Sequence, residues 1–154
     1  MSSKIHLAAD SRCRPLARVT SAGQRGDNLG FIPVLERLHI PRRGSGRPRT
    51  RPGLVLADKA YSGKASRTWL RRRRIGAVIP ERADEEANRA RRGSRGGRPP
   101  AFDPHAYRDR NTVERAINKL KQNRAVATRF DKRDYIWRGT TDVAAIRIWL
   151  RNPA

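Results

Sequence analysis

The apolar residues fall into short, separated runs. In Lys4–Ala9, Ile5, Leu7 and Ala9 alternate with His6 and Ala8, the period-two pattern of a half-buried strand. Pro15–Thr20 reads as its partner beyond the turn Asp10-Ser-Arg-Cys-Arg14, which predicts a hairpin. Asp27 or Asn28 can cap a helix reaching about Leu38, with Pro33 in its first turn or bending it. Leu54-Val-Leu-Ala57 and Gly76-Ala-Val-Ile79 are continuous apolar runs stopped by Asp58 and Pro80, as expected of short buried strands; the first reads as covered on both faces. Between them, Ser62 or Ser66 can cap a helix to about Arg74, with Trp69 and Leu70 as its apolar surface. Its four-arginine end suits the negative pole of the helix dipole. A helix over Tyr107–Val126 has Val113, Ile117 and Leu120 as its seam. A last helix, Trp137–Leu150, offers Val143, Ile146, Trp149 and Leu150 to the core.

Strands alternating with helices in this order predict an α/β layered fold, a mixed sheet with flanking helices. A chain of 154 residues is long enough for one domain with a modest core. Two stretches interrupt the pattern. About 41–52 is rich in Pro, Arg and Gly, and 81–104 holds almost no large apolar residue before Phe102. Both are expected to be flexible basic loops, the second ordering on a polyanion.

Charge sharpens the picture. Lys and Arg number 36 against 14 Asp and Glu, a formal net charge of +22. Such an excess makes a compact state repel itself unless a polyanion or counterions are present. Nucleic acid fits better than a membrane surface, because no basic helix with a strong apolar face stands out. The single cysteine, Cys13, excludes an intrachain disulfide and a cysteine zinc site. No run approaches the roughly 20 apolar residues of a transmembrane helix, and the start lacks a secretion signal, so a cytoplasmic, nucleoid-associated location is expected.

Candidate chemistry rests on two acids. Asp58 closes a predicted strand at the carboxyl edge, where open α/β sheets place ligands; the plain alternative is a turn cap. On the predicted helix, Tyr107, Arg110, Glu114 and Lys121 lie within a strip roughly 60° wide beside the apolar seam. A binder gains nothing from an acid within a phosphate-binding stripe. Two carboxylates near arginines suit Mg²⁺, which favours carboxylate, phosphate and water oxygens.

At these residues the sequence resembles the DDE transposases of bacterial insertion sequences, the insertion sequence four/five group. Ala57-Asp58-Lys-Ala60-Tyr61-Ser62 looks like the motif around that family's second catalytic aspartate. Tyr107-x2-Arg110-x3-Glu114-x6-Lys121 matches its Y-R-E-K signature at every spacing. Gly93–Asp103 and Ala127–Lys132 are also similar to this family. The resemblance implies a ribonuclease H-like fold in which three carboxylates hold two Mg²⁺ ions that cut element ends and join the 3′ hydroxyl to target DNA. Asp58 and Glu114 would be catalytic metal ligands, with Tyr61, Tyr107, Arg110, Lys121, Arg95 and Arg98 facing DNA. The family's first aspartate belongs on a strand before the hairpin, and Asp10 and Asp27 are not substitutes. The chain therefore reads as an incomplete ribonuclease H-like fold with its first strand missing: the C-terminal part of a transposase, by truncation, as a pseudogene, or from a split reading frame. Little activity is expected of it alone. Candidate partners are transposon-end and target DNA, an upstream transposase half, and a second copy of the chain. The alternative is a non-catalytic basic DNA-binding fragment.

Other chemistries fare worse. His6, His39 and His105 lack metal-ligand spacing, and Ser62 lacks a neighbouring histidine and a nucleophile-elbow pattern. Trp69, Trp137 and Trp149 read as packing residues, with base stacking by Trp137 beside Arg138 as the lesser option.

Overall fold

The hairpin forms as the alternation predicts. In the computed structural model, which describes residues 3–42, 44–129, 131 and 133–151, β1 (Ser3–Ala9) pairs antiparallel with β2 (Pro15–Ala22). Asp10 holds the turn between them. Its Oδ1 accepts the amides of Arg12 (3.0 Å) and Arg14 (2.8 Å), and its Oδ2 accepts Arg14 Nε at 2.7 Å. A short acid that bonds the backbone just ahead of it is a standard way to fix a turn.

Successive strand residues face opposite sides, and both sides of this hairpin are covered. His6 is buried and lies against α1 (Asn28–Glu36), its Nε2 2.8 Å from Ser21 Oγ. Gly30 of α1 sits so close that an added Cβ would meet the imidazole at 2.3 Å. Leu7, on the other face, packs against Leu120, Val126, Ala144 and Ile148. Those residues come from α5 (Asn111–Lys121), α6 (Arg124–Thr128) and α7 (Asp134–Arg151).

α1 buries Phe31, Val34 and Leu35, with Leu38 just beyond, the spacing of an apolar stripe. Pro33 lies in the body of this helix, beyond the first turn that was one of the two placements expected for it. Asp27 occupies the cap position without a capping bond, because its carboxylate reaches Lys4 Nζ at 2.9 Å instead.

The last helix is turned away from its predicted face. Trp137, Thr141, Ala144 and Ile148 are buried, whereas Val143, Ile146 and Leu150 are 60, 56 and 76% exposed. Polar anchors set this rotation. Arg18 of β2 pairs with Asp142 and donates to the Arg138 carbonyl at 2.6 Å, drawing that side of α7 onto the hairpin. Trp149 is half-buried, donates Nε1–H to the Pro15 carbonyl at 2.7 Å, and lies under the buried Arg14 guanidinium. Trp137 is buried, in keeping with a packing role.

The expected single helix over Tyr107–Val126 is broken. α4 (Pro104–Tyr107) leads into a 3-10 turn over Arg108–Arg110, then α5, then α6. Asn123 stands at the second break, where its Nδ2 bonds the Leu120 carbonyl at 3.2 Å, as an asparagine that competes with helix does.

The chain divides into two compact units, Met1–Thr50 with Asn111–Ala154, and Arg51–Arg110. In the second, β3 (Leu54–Leu56) pairs parallel with β4 (Gly76–Val78), and α2 (Lys64–Arg72) is the crossover. The expected mixed sheet is therefore two separate two-stranded sheets among the described residues. β3 is not buried on both faces: Val55 is buried, but Leu54 is 50% exposed, since a two-stranded sheet with one helix leaves a face open. Leu70, Ile75, Val78 and Ile79 complete the small core. Neither Ser62 nor Ser66 caps α2; Gly63 takes that place and both serines are buried.

Residues 81–104 also depart from the loop expected of them. Ala83–Arg91 is α3, followed by a 3-10 turn over Gly93–Gly96. Charge order explains the helix where apolar content could not. Asp84, Glu85 and Glu86 fill its first turn and Arg89 and Arg91 its last, matching the helix dipole at both ends. Arg89 adds an ion pair to Glu81 at 2.9 Å. Gly96 folds back so far that a Cβ would lie 2.2 Å from the Arg89 carbonyl oxygen, so only glycine fits. Residues 41–52 are irregular apart from a bridge between Ile40 and Arg49, with Arg43 outside the described residues. Phe130 and Lys132 of the Ala127–Lys132 segment also lie outside them.

Candidate catalytic site

Asp58 follows β3 at its carboxyl end and caps a 3-10 turn over Lys59–Tyr61, its Oδ1 accepting the Lys59 amide at 2.6 Å. The capping role foreseen as the plain alternative is thus real, but it uses one oxygen. The other, Oδ2, stands 4.0 Å from Arg110 Nη1, and the Asp58 side chain remains 53% exposed. A carboxylate that is held by its own turn yet open to solvent can still take a ligand.

Arg110 is itself positioned. Its guanidinium lies over the Tyr107 ring at 4.9 Å, and that ring meets Phe102 at 5.1 Å in a tilted arrangement. Cation–π contact of this kind contributes about 0.5–1 kcal/mol at exposed sites. The chain Phe102–Tyr107–Arg110–Asp58 therefore brings two sequence motifs together within the Arg51–Arg110 unit. Phe102 is a member that motif spacing did not single out; its isolation in a basic, apolar-poor segment was the available signal.

Ser62 lies just beyond the turn, 2% exposed, and its Oγ finds no hydrogen-bond partner among the described residues. Its carbonyl accepts Arg67 Nε at 2.8 Å, and Arg67 Nη2 reaches the Ile79 carbonyl at 2.9 Å. One guanidinium thus ties the segment after Asp58 to the end of β4. Burial lowers the Arg67 pKa from its ordinary value, with Glu85 and Glu81 opposing that shift.

Glu114 lies exposed in the first turn of α5, and Lys121 is the last residue of the same helix. These two keep the shared strip foreseen for them, flanking the face that buries Ala116 and Leu120. Tyr107 closes α4 and Arg110 the 3-10 turn that precedes α5, so the four residues are not carried by one uninterrupted α-helix. Tyr61 is half-buried at the end of its turn, and Arg95 and Arg98 are exposed.

Asp10 is committed to the hairpin turn and to Arg14, in keeping with its exclusion as a ligand. Among the described residues no group of three or more His, Cys, Asp or Glu is placed to hold a metal ion. Asp58 and Glu114 are hard oxygen donors of the type a divalent cation takes, and each is solvent-accessible.

Residues 1–137 match the family described as the transposase DDE domain. A putative transposase for insertion sequence element IS402 from Burkholderia cepacia is 31% identical over 86 residues, 56% of this chain and 41% of that protein. The chain thus spans less than half the length of that relative. No solved structure matches. No helix among the described residues is long and apolar enough to cross a membrane.

Proposed function

Because the chain belongs to the DDE transposase family of insertion sequences, we propose that it serves DNA cutting and strand transfer at element ends, with Asp58 and Glu114 as its catalytic carboxylates. The observation that carries this reading is the approach of Arg110, from the Y-R-E-K signature, to Asp58, from the aspartate motif, at 4.0 Å. Two motifs far apart in sequence share a neighbourhood, as parts of one reaction centre should.

In this reading the chain belongs to a catalytic domain of ribonuclease H-like type. Asp58 and Glu114 hold Mg²⁺. When bound, a pair of such ions activates the attacking water or 3′ hydroxyl and stabilises the leaving oxygen. The protein's own part is placement. Arg110, braced by Tyr107, holds the scissile phosphate beside Asp58; a guanidinium suits this because its planar donors match phosphate oxygens. Tyr61, Arg95, Arg98 and Lys121 hold the flanking DNA backbone. The family's catalysis uses three carboxylates, and this chain contributes two. A third, from another segment or another chain, completes the site, so the isolated chain binds DNA with little or no cutting.

The test is incubation of labelled element-end DNA with the purified chain in magnesium. DNA is expected to be bound and left intact. A nick abolished by Asp58→Ala and by Glu114→Ala would mean that two carboxylates suffice; a nick surviving both substitutions would overturn the site. Calorimetric magnesium titration reads the same pair without catalysis, and either alanine variant is expected to lose saturable binding. The net charge of +22 favours a second reading, a non-catalytic DNA-binding fragment, in which neither substitution alters metal binding.

A further inference from the structure

The groove between α5, α6 and α7 has a cavity of about 710 Å³ whose lining carries Lys119, Arg124, Arg147 and Arg151 and no acidic residue. Among the described residues none of these four cations is paired with a carboxylate, whereas Arg14, Arg18, Arg82 and Arg89 all are. Lys119 Nζ donates to the Arg12 carbonyl at 3.2 Å, and Arg147 Nη1 to Asn123 Oδ1 at 3.1 Å. Both contacts fix side chains without neutralising them. The floor, Ala144 and Ile148, belongs to the helix core, so the cations stand on a packed base. Like charges gathered this closely repel one another, an arrangement that costs stability unless an anion is supplied.

We propose that this groove is a second DNA-contacting surface, which takes the phosphodiester backbone of duplex DNA without reading its sequence. It rests on the reading of the chain as a DNA-acting protein but not on the assignment of Asp58 and Glu114. Four unneutralised cations along one concave face complement a run of backbone phosphates. The apolar Val143 at the rim faces sugar edges without demanding a particular base. Duplex DNA carries about one charge per 1.7 Å of axis, so several phosphates fall within one such groove.

The test is binding of a labelled random-sequence duplex to the full 154-residue chain in EDTA, by fluorescence anisotropy over a range of salt. EDTA removes any contribution from metal-held DNA, so this result and the cutting assay can fail separately. Arg124→Gln/Arg147→Gln/Arg151→Gln is expected to weaken binding at least tenfold at low salt. It should also shallow the slope of log K against log salt by nearly 3, at about 0.9 per lost phosphate contact. Glutamine keeps a hydrogen-bonding side chain at Arg147. An unchanged circular dichroism spectrum and unfolding midpoint confirm that the fold persists, and three single-residue glutamine variants replace the triple one if it unfolds. Arg71→Gln/Arg72→Gln/Arg92→Gln removes the same charge from exposed sites elsewhere. An equal loss from that control would overturn the proposal by showing that only net charge matters. Unchanged DNA binding would overturn it too, and self-association lost only in the groove variant would assign the groove to a second copy of the chain.

Discussion

The two units are held together by different physics. The unit that combines the hairpin with α1, α5, α6 and α7 has apolar layers on both faces of a sheet, with Phe31, Leu35, Leu120, Val126 and Ile148 all buried. The Arg51–Arg110 unit has two three-residue strands and a core reduced to Val55, Leu70, Ile75, Val78 and Ile79. It substitutes polar ties: Arg67 to two carbonyl groups, Glu81 to Arg89, Asp58 to its own turn. Local stability follows buried apolar contact, and segments that bind and rearrange come from the less stable end. The unit that carries Asp58, Arg95, Arg98 and Arg110 is the weakly cored one.

The comparison breaks most readily in the larger core. Leu120→Ala truncates one of the four core residues against which Leu7 packs and is expected to cost about 2–5 kcal/mol, read as a lowered urea midpoint. If that cost fell on the other unit's protection as well, the two would not be energetically distinct. Hydrogen exchange with mass spectrometry reads each unit separately.

A smaller loss, in the other unit, is expected from Arg67→Met. It keeps the apolar stem and leaves the Ser62 and Ile79 carbonyls without their donor, at about 1–3 kcal/mol. Lost exchange protection should be confined to residues 51–110. Loss spread evenly over the whole chain would show that this unit does not depend on its polar ties.

Next comes pH. Burial lowers the His6 pKa below 6.5, with Asp27 opposing and Lys4 adding to the shift. The folded state thus prefers neutral imidazole, and the unfolded chain takes up the proton first as pH falls. Stability from this group is complete above 6.5 and is lost on acidification through the lowered folded value. The hairpin unit should weaken from pH 7 towards acid, and His6→Gln should flatten that dependence. A pH profile identical in the variant would remove His6 as its cause.

Least is expected from Arg110→Met. The ion pair with Asp58 is long and exposed, so stability should change by less than about 1 kcal/mol. DNA affinity should nevertheless fall if Arg110 holds phosphate. A large stability loss with unchanged DNA binding would make the Tyr107–Arg110–Asp58 chain a structural brace alone.

Local rules reached far in this chain. Alternation around His6, the Asp10 turn, the helix that became α1 and the strand–helix–strand order were legible because each depends on neighbours in sequence. Asp58 and the signature residues were singled out by spacing alone, a chemical fingerprint independent of packing. Tertiary structure decided the rest. The face of α7 was set by Arg18, a residue distant in sequence that draws in Asp142 and the Arg138 carbonyl, and hydrophobicity alone chose Val143, Ile146 and Leu150 wrongly. A 3-10 turn over Arg108–Arg110 stands between Tyr107 and α5, whereas a helical wheel assumes one unbroken α-helix. The meeting of Arg110 with Asp58, and the gathering of Lys119, Arg124, Arg147 and Arg151 around one groove, came from chain reversals that no periodicity encodes.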